Sequence, residues 1–211
     1  MKLKYTILLA TALISTSALA RNAWVIAPNQ KVHADLFGKT LSFVLPPRMR
    51  LVTNKRSENN LLMEHIPQGE NLTNWTRMVT IQAYRGLGKS PEPSADIARR
   101  AFYPAACRIG PIYRESGDRV VASGLRRSIL ATGCASLPAG AYPLALAGAG
   151  EQDFIMMFRD GDTVYTLNYA ERGAPFTSKT LPHDPADAEA ILEQVLGTVT
   201  LCSSTKPCGR H

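Results

Sequence analysis

The sequence predicts an α+β fold, an antiparallel sheet carrying two main helices, and three observations predict it. From residue 75 to 84 the chain alternates: Trp75, Val79, Ile81 and Ala83 share one parity, broken by Arg77, while Thr76, Thr80, Gln82 and Tyr84 share the other. Period-2 alternation with β-branched and aromatic residues marks a half-buried strand. Residues 154–158 and 163–168 flank Arg159-Asp160-Gly161-Asp162, and an Asp-Gly pair between β-rich runs is a two-residue hairpin turn. Two segments carry helical spacing instead, one through Ile97, Ala98, Ala101 and Phe102, the other through Ile191, Leu192, Val195 and Leu196.

Each element has local reasons. The chain opens with a short basic start, an apolar run over 6–19 and Ala18-Leu19-Ala20 before Arg21. That is the pattern of a secretory signal peptide over 1–20, too short in its apolar part to span a bilayer. Residues 21–211 are then one exported domain, a length that supports a sizeable core. Residues 22–38 carry no clear pattern, with Trp24-Val25-Ile26 a candidate edge strand. Residues 41–45 read as a strand stopped by Pro46-Pro47, since proline cannot donate to a ladder. Strands at 49–53 and 61–66 are joined by a polar tip, and Pro67-Gln68-Gly69 turns the chain toward Trp75. Trp75 offers the largest apolar surface of that stretch and is expected in the core beside Val79 and Ile81.

Pro91-Glu92-Pro93 breaks the chain, Ser94 is placed to cap the first helix, and Pro104 ends it. Strands are expected at 119–123 and 128–133, and the Ala/Gly/Pro-rich stretch 137–150 reads as a loop. Asp184 caps the second helix with Pro185 in its first turn, Gly197 ends it, and 199–202 leads to the C-terminus.

Four cysteines, Cys107, Cys134, Cys202 and Cys208, lie beyond the leader, and an oxidising compartment makes disulfides the default. Cys202 and Cys208 enclose five residues and suit a local loop, which leaves Cys107 for Cys134. The formal charge is +7, or +5 without Lys2 and Lys4, and it is uneven: 17 Lys/Arg against 8 Asp/Glu over 21–127, then 5 against 9 to the end. An Arg-rich half suits an anionic envelope component or an acidic protein face, and it also suits a solvated surface. With no basic tail or aromatic–basic repeat, the chain does not read as a nucleic-acid binder.

Chemical motifs are weak. Residues 83–90 match a relaxed phosphate-loop pattern, but Pro91 and Pro93 forbid a helix at Lys89-Ser90. His33, His65, His183 and His211 show no ligand spacing, and Cys202, Cys208 and His211 fall one short of a closed zinc site. His65 beside Glu64 on a strand points to the opposite face. Ser203-x-x-Lys206 lies too near the C-terminus for the serine enzymes that use that motif. Asp160 and Asp162 are explained by the hairpin, and Asn71 and Asn74 head formal glycosylation sequons. No metal or cofactor is implied, and no apolar run after the leader is long enough to span a membrane.

The segment Asn74-Trp75-Thr76-x-Met78-Val79-Thr80-x-Gln82, with Gly133-Cys134, Gly161-Asp162-x-x-Tyr165 and Cys202 after the last helix, resembles a group of uncharacterised exported proteobacterial proteins. The Ala/Gly-rich run before Glu151 departs from that group. The resemblance implies a periplasmic α+β domain with a paired Cys134, and no activity. The expectation is a non-catalytic binding or accessory module, periplasmic or secreted. Its binding surface is expected around Arg77, Tyr84 and Arg85, which offer forked donors and an aromatic face. The alternatives are a hydrolase of wall or lipid substrates built on His65 or His183, and an inhibitor or immunity protein.

Overall fold

The alternating segments pair into two antiparallel sheets. The computed structural model describes residues 30–121, 124–139, 147–177 and 179–203. Its strands are β1 (Gln30–Leu36), β2 (Lys39–Leu45), β3 (Met49–Arg56), β4 (Asn60–Pro67), β5 (Arg77–Arg85), β6 (Ile109–Val120), β7 (Arg126–Ser136), β8 (Gly150–Asp160), β9 (Thr163–Gly173) and β10 (Thr200–Ser203). The helices are α1 (Ser94–Phe102) and α2 (Ala188–Leu196). A seven-stranded sheet runs β3-β4-β5-β9-β8-β7-β6, and a three-stranded sheet runs β1-β2-β10. The expected leader over 1–20, the Trp24 segment, Cys208, His211 and part of the expected 137–150 loop lie outside the described residues.

Side-chain parity divides the large sheet into two unlike faces. Val79, Ile81 and Ala83 of β5, Leu167 of β9 and Phe154, Met156 and Phe158 of β8 point to one side. There they pack against Leu36, Leu41, Phe43 and Leu201 of the small sheet and Ile191, Leu192 and Leu196 of α2. Val195 is partly buried against the same cluster, so the second helix buries the stripe its spacing predicts. The other face carries Thr80, Gln82, Asp153, Asn168 and Thr132, and α1 covers only part of it through Ala98. Glu64 and His65 do point to opposite faces, with His65 buried on the dry side, where burial lowers its pKa.

Two local expectations are corrected, and one turn has no sequence signal. The β8–β9 loop is Gly161-Asp162, because Asp160 already pairs with Thr163. Only its Gly has a positive φ, 54°, which is the II′ arrangement rather than one needing both positions left-handed. The β1–β2 hairpin turns on Phe37-Gly38, with φ of 52° and 84°. A left-handed Phe is uncommon, and the Arg85 guanidinium, 4.5 Å from its ring centroid, covers it. The first helix begins at Ser94 with Pro93 in the capping position, and Ser94 makes no side-chain cap.

The Cys107–Cys134 disulfide ties the segment after α1 to β7. Among the described residues it is the one bridge with both partners placed, and the expected Cys202–Cys208 bridge reaches outside them. Beside it, Gly133 allows β7 and β8 to approach closely: a Cβ there would lie 2.3 Å from the Glu151 carbonyl oxygen. Gly133→Ala should therefore cost about 1–3 kcal/mol, as overpacking does, measured as a lowered urea midpoint at unchanged slope.

Candidate functional site

The site begins with a turn that resets the strand's parity. Asn71 Oδ1 accepts from the Thr73 amide at 2.8 Å, and Asn74 Oδ1 accepts from the Asn71 amide at 2.9 Å. Glu70 closes the turn by accepting from the Thr76 amide at 2.7 Å and its hydroxyl at 2.8 Å. Both Asn residues of the formal sequons are thus committed to local structure. Because β5 starts only at Arg77, Trp75 does not follow its alternation. The indole is buried, as expected for an anchor, but it joins Ile66, Met78 and Ala170 on the face opposite Val79 and Ile81. The expected shared parity is corrected accordingly.

That face carries an open cavity of about 480 Å³. Trp75, Met78 and Phe102 form apolar walls, and Thr80, Thr132, Asp153 and Asn168 form a polar floor. The disulfide and residues 103–107 close one side, so the bridge shapes the cavity as well as restraining the chain.

At one end Arg172 of β9 meets Glu151 of β8, its register partner. Nε and Nη2 both donate to Glu151 Oε2, the first at 2.8 Å. The side chains are 7% and 9% exposed, so this pair has left water almost completely. The guanidinium also lies 3.8 Å from the Trp75 ring centroid, where the ring's negative face attracts it. The strand is pinned below by the Arg172 amide, which donates to the Thr76 carbonyl at 2.9 Å. Burial raises the Glu151 pKa even against the opposing charge of Arg172.

Asp153, two residues along β8, is half-buried and lines the cavity. Asn168 Nδ2 donates to its Oδ1 at 3.1 Å. Burial, and secondarily the negative charge of Glu151, push its pKa up to about 8. The carboxyl group holds its proton at neutral pH, and the floor is polar with little net charge.

The residues singled out from sequence do not come together. Tyr84 lines the cavity, and burial raises its pKa. Arg77 and Arg85 project from the other face at opposite ends of β5, eight residues and about 27 Å apart at strand rise. Arg85 is stacked on Phe37. The other arginines are dispersed over β3, α1 and β6 to β9, and several are individually engaged, as in Arg50 with the Glu70 carbonyl and Arg100 with Glu92. The phosphate-loop match has the wrong polarity: the carbonyls of Gly88, Ser90 and Glu92 converge on the Arg159 guanidinium, whereas a phosphate cradle presents amides.

His33 bonds Ser42 at 2.8 Å. His183 pairs with Glu171 at 2.9 Å, and Glu171 also accepts from the Tyr169 hydroxyl at 2.5 Å. This chain lies across the sheet from the cavity. Among the described residues no group of three His, Cys, Asp or Glu side chains converges as a metal site, and no helix is long and apolar enough to cross a membrane. Sequence reasoning missed Glu151, Asp153, Asn168 and Arg172; the available signal was the parity of the 154–168 hairpin, extended outward at both ends. No family model matches the chain, and no curated protein is significantly similar to it.

The raised Asp153 pKa sets a pH dependence, with Glu151, Arg172 and Asn168 as the groups facing it. An unfolded aspartate titrates near 3.9, so the fold binds this proton more tightly than the unfolded chain. The stabilisation is complete below about pH 4 and is lost as pH rises toward about 8. Asp153→Asn keeps the shape without the charge. Thermal melts should show the variant several degrees more stable than the parent at about pH 9, with the gap closing toward about pH 4.

Proposed function

We propose that the protein is a non-catalytic binding or accessory module of the cell envelope, and that the cavity beside Trp75 is where it holds a ligand. In this reading residues 1–20 are removed on export, 21–211 act as one domain, and a second bridge, Cys202–Cys208, joins the Cys107–Cys134 disulfide. The disulfide that is present suits an oxidising compartment.

One observation carries the reading. The cavity of about 480 Å³ brings the apolar side chains of Trp75, Met78 and Phe102 together with the polar Thr80, Gln82, Asp153 and Asn168, and a concave site with apolar walls and a few polar groups is the form of a small-molecule pocket. The hydrolase alternative would have to start from His183 and Glu171, the one histidine–carboxylate contact among the described residues.

Titration of the mature chain with the uncharged dye Nile red tests the cavity directly. Saturable binding is expected, and it should disappear in Ala101→Trp. Ala101 is an exposed residue of α1 that lines the cavity, so the added ring fills the space without entering the core. Undiminished dye binding by a folded Ala101→Trp protein would move the binding site elsewhere.

A further inference from the structure

The polar atoms that the cavity leaves free specify what it accepts, given that it is the binding site proposed above. The Glu64 carboxylate, Thr80 Oγ1, Gln82 Nε2, the Tyr84 hydroxyl and Asp153 Oδ2 belong to lining residues and have no hydrogen-bond or ion-pair partner among the described residues. None of these atoms is shut off from solvent. Gln82 and Asp153 spend their other polar atom internally, Gln82 Oε1 on the Thr166 hydroxyl and Asp153 Oδ1 on Asn168. Register sets the five groups on one floor. Glu64 stands opposite Thr80, Gln82 and Tyr84 follow Thr80 along β5, and Asp153 lies beyond β9 on β8. From Glu64 to Tyr84 the polar groups therefore recur every ~5–7 Å, one strand spacing or two residues.

Charge and donor count disfavour two ligand classes. Arg172 is spent on Glu151 and Asp153 holds its proton at neutral pH, so Glu64 carries the one uncompensated charge among the lining residues. An anion is repelled by it. A cation can pair with Glu64, but it cannot accept from Gln82 Nε2, nor from the proton that Asp153, accepting on Oδ1, holds on Oδ2. A hydroxyl has one donor and two lone pairs, so it can serve all five groups, and several hydroxyls on one molecule can meet several at once. Phe102 and Tyr103, the latter 45% exposed, add aromatic rings at the end of α1. The negative face of such a ring suits the C–H groups of a sugar's apolar face. We propose that the cavity takes an uncharged saccharide, its hydroxyls on Glu64, Thr80 and Gln82 and the apolar face of a sugar ring against Phe102 and Tyr103.

NMR titrations of the oxidised mature chain near neutral pH test this. The neutral probes are the methyl pyranosides of glucose, galactose, mannose and N-acetylglucosamine, with methyl glucosaminide as the cation and methyl glucuronide as the anion. At least one neutral probe should bind, about threefold or more tightly than either charged one, because a charged group also loses its hydration on entering. Ala101→Trp should abolish that binding, and Gln82→Leu should weaken it about fivefold by removing a donor. Tighter binding of the best sugar as its tetrasaccharide assigns the ligand to a glycan chain, and equal binding assigns it to a free sugar. Tightest binding by a charged probe, or binding that a folded Gln82→Leu protein leaves unchanged, overturns the proposed ligand class. Nile red binding with no response to any sugar overturns the class and leaves the cavity reading standing. If neither dye nor sugars bind, both fall.

Discussion

The Arg172 guanidinium, bound edge-on by Glu151 and covered by the Trp75 ring, is the interaction on which the cavity face depends. Taking two charges out of water costs several kcal/mol each, and only good geometry with further hydrogen bonds offsets it. Much of the surrounding structure supplies that geometry. Glu70 clamps Thr76, Thr76 holds the Arg172 backbone, and the same turn carries Trp75 over the guanidinium. Gly133 lets β7 close on the Glu151 backbone, and the neighbouring disulfide fixes the segment after α1. One arginine thus links the turn before β5, the ends of β8 and β9, and the wall of the cavity.

This arrangement divides the labour of the large sheet. One face is dry, covered by the small sheet and α2, and supplies most of the hydrophobic stabilisation. The other is left partly uncovered and polar, and it tolerates that only because its carboxyl groups on β8 are paired or protonated: Glu151 with Arg172, Asp153 with its own proton. Stability on the first side permits an incompletely satisfied second side, which is the condition for binding something there.

Much of the architecture was legible because it rests on local rules. Alternation located β2, β4, β5 and the β8–β9 hairpin, and an apolar stripe ended by Gly197 located α2, although Asp184 caps a 3-10 turn over Pro185–Asp187 and α2 itself begins after Asp187. The failures share a cause, which is tertiary contact overriding local signal. The β1–β2 hairpin turns on Phe37, a residue no turn rule selects, with Arg85 stacked across its ring. Strand β6 is a largely exposed edge with Gly110, Pro111 and Gly117 in it and a shift in register, so it has little alternation to read. Trp75 sits on the unexpected face because the Asn71–Asn74 turn interrupts the count before β5 begins. The site itself was hidden by its charge. Glu151, Asp153 and Arg172 on alternate strand positions look like a solvated face, and only the pairing of Glu151 with Arg172 across β8 and β9 reveals those two side chains as buried. Tyr84, expected at a binding surface, lines the cavity, whereas Arg77 and Arg85 are its neighbours in sequence only, which a strand converts into separation.

The central claim is that Arg172 compensates Glu151 inside the protein, and a double-mutant cycle measures this directly. Arg172→Met keeps an apolar stem and removes the charge. At neutral pH it should cost about 3–5 kcal/mol, the penalty of an uncompensated buried carboxylate. Adding Glu151→Gln should recover most of that loss, because the stranded charge is then gone. If the double variant is as unstable as the sum of the two single variants, the residues are uncoupled and the pair does not organise the cavity face.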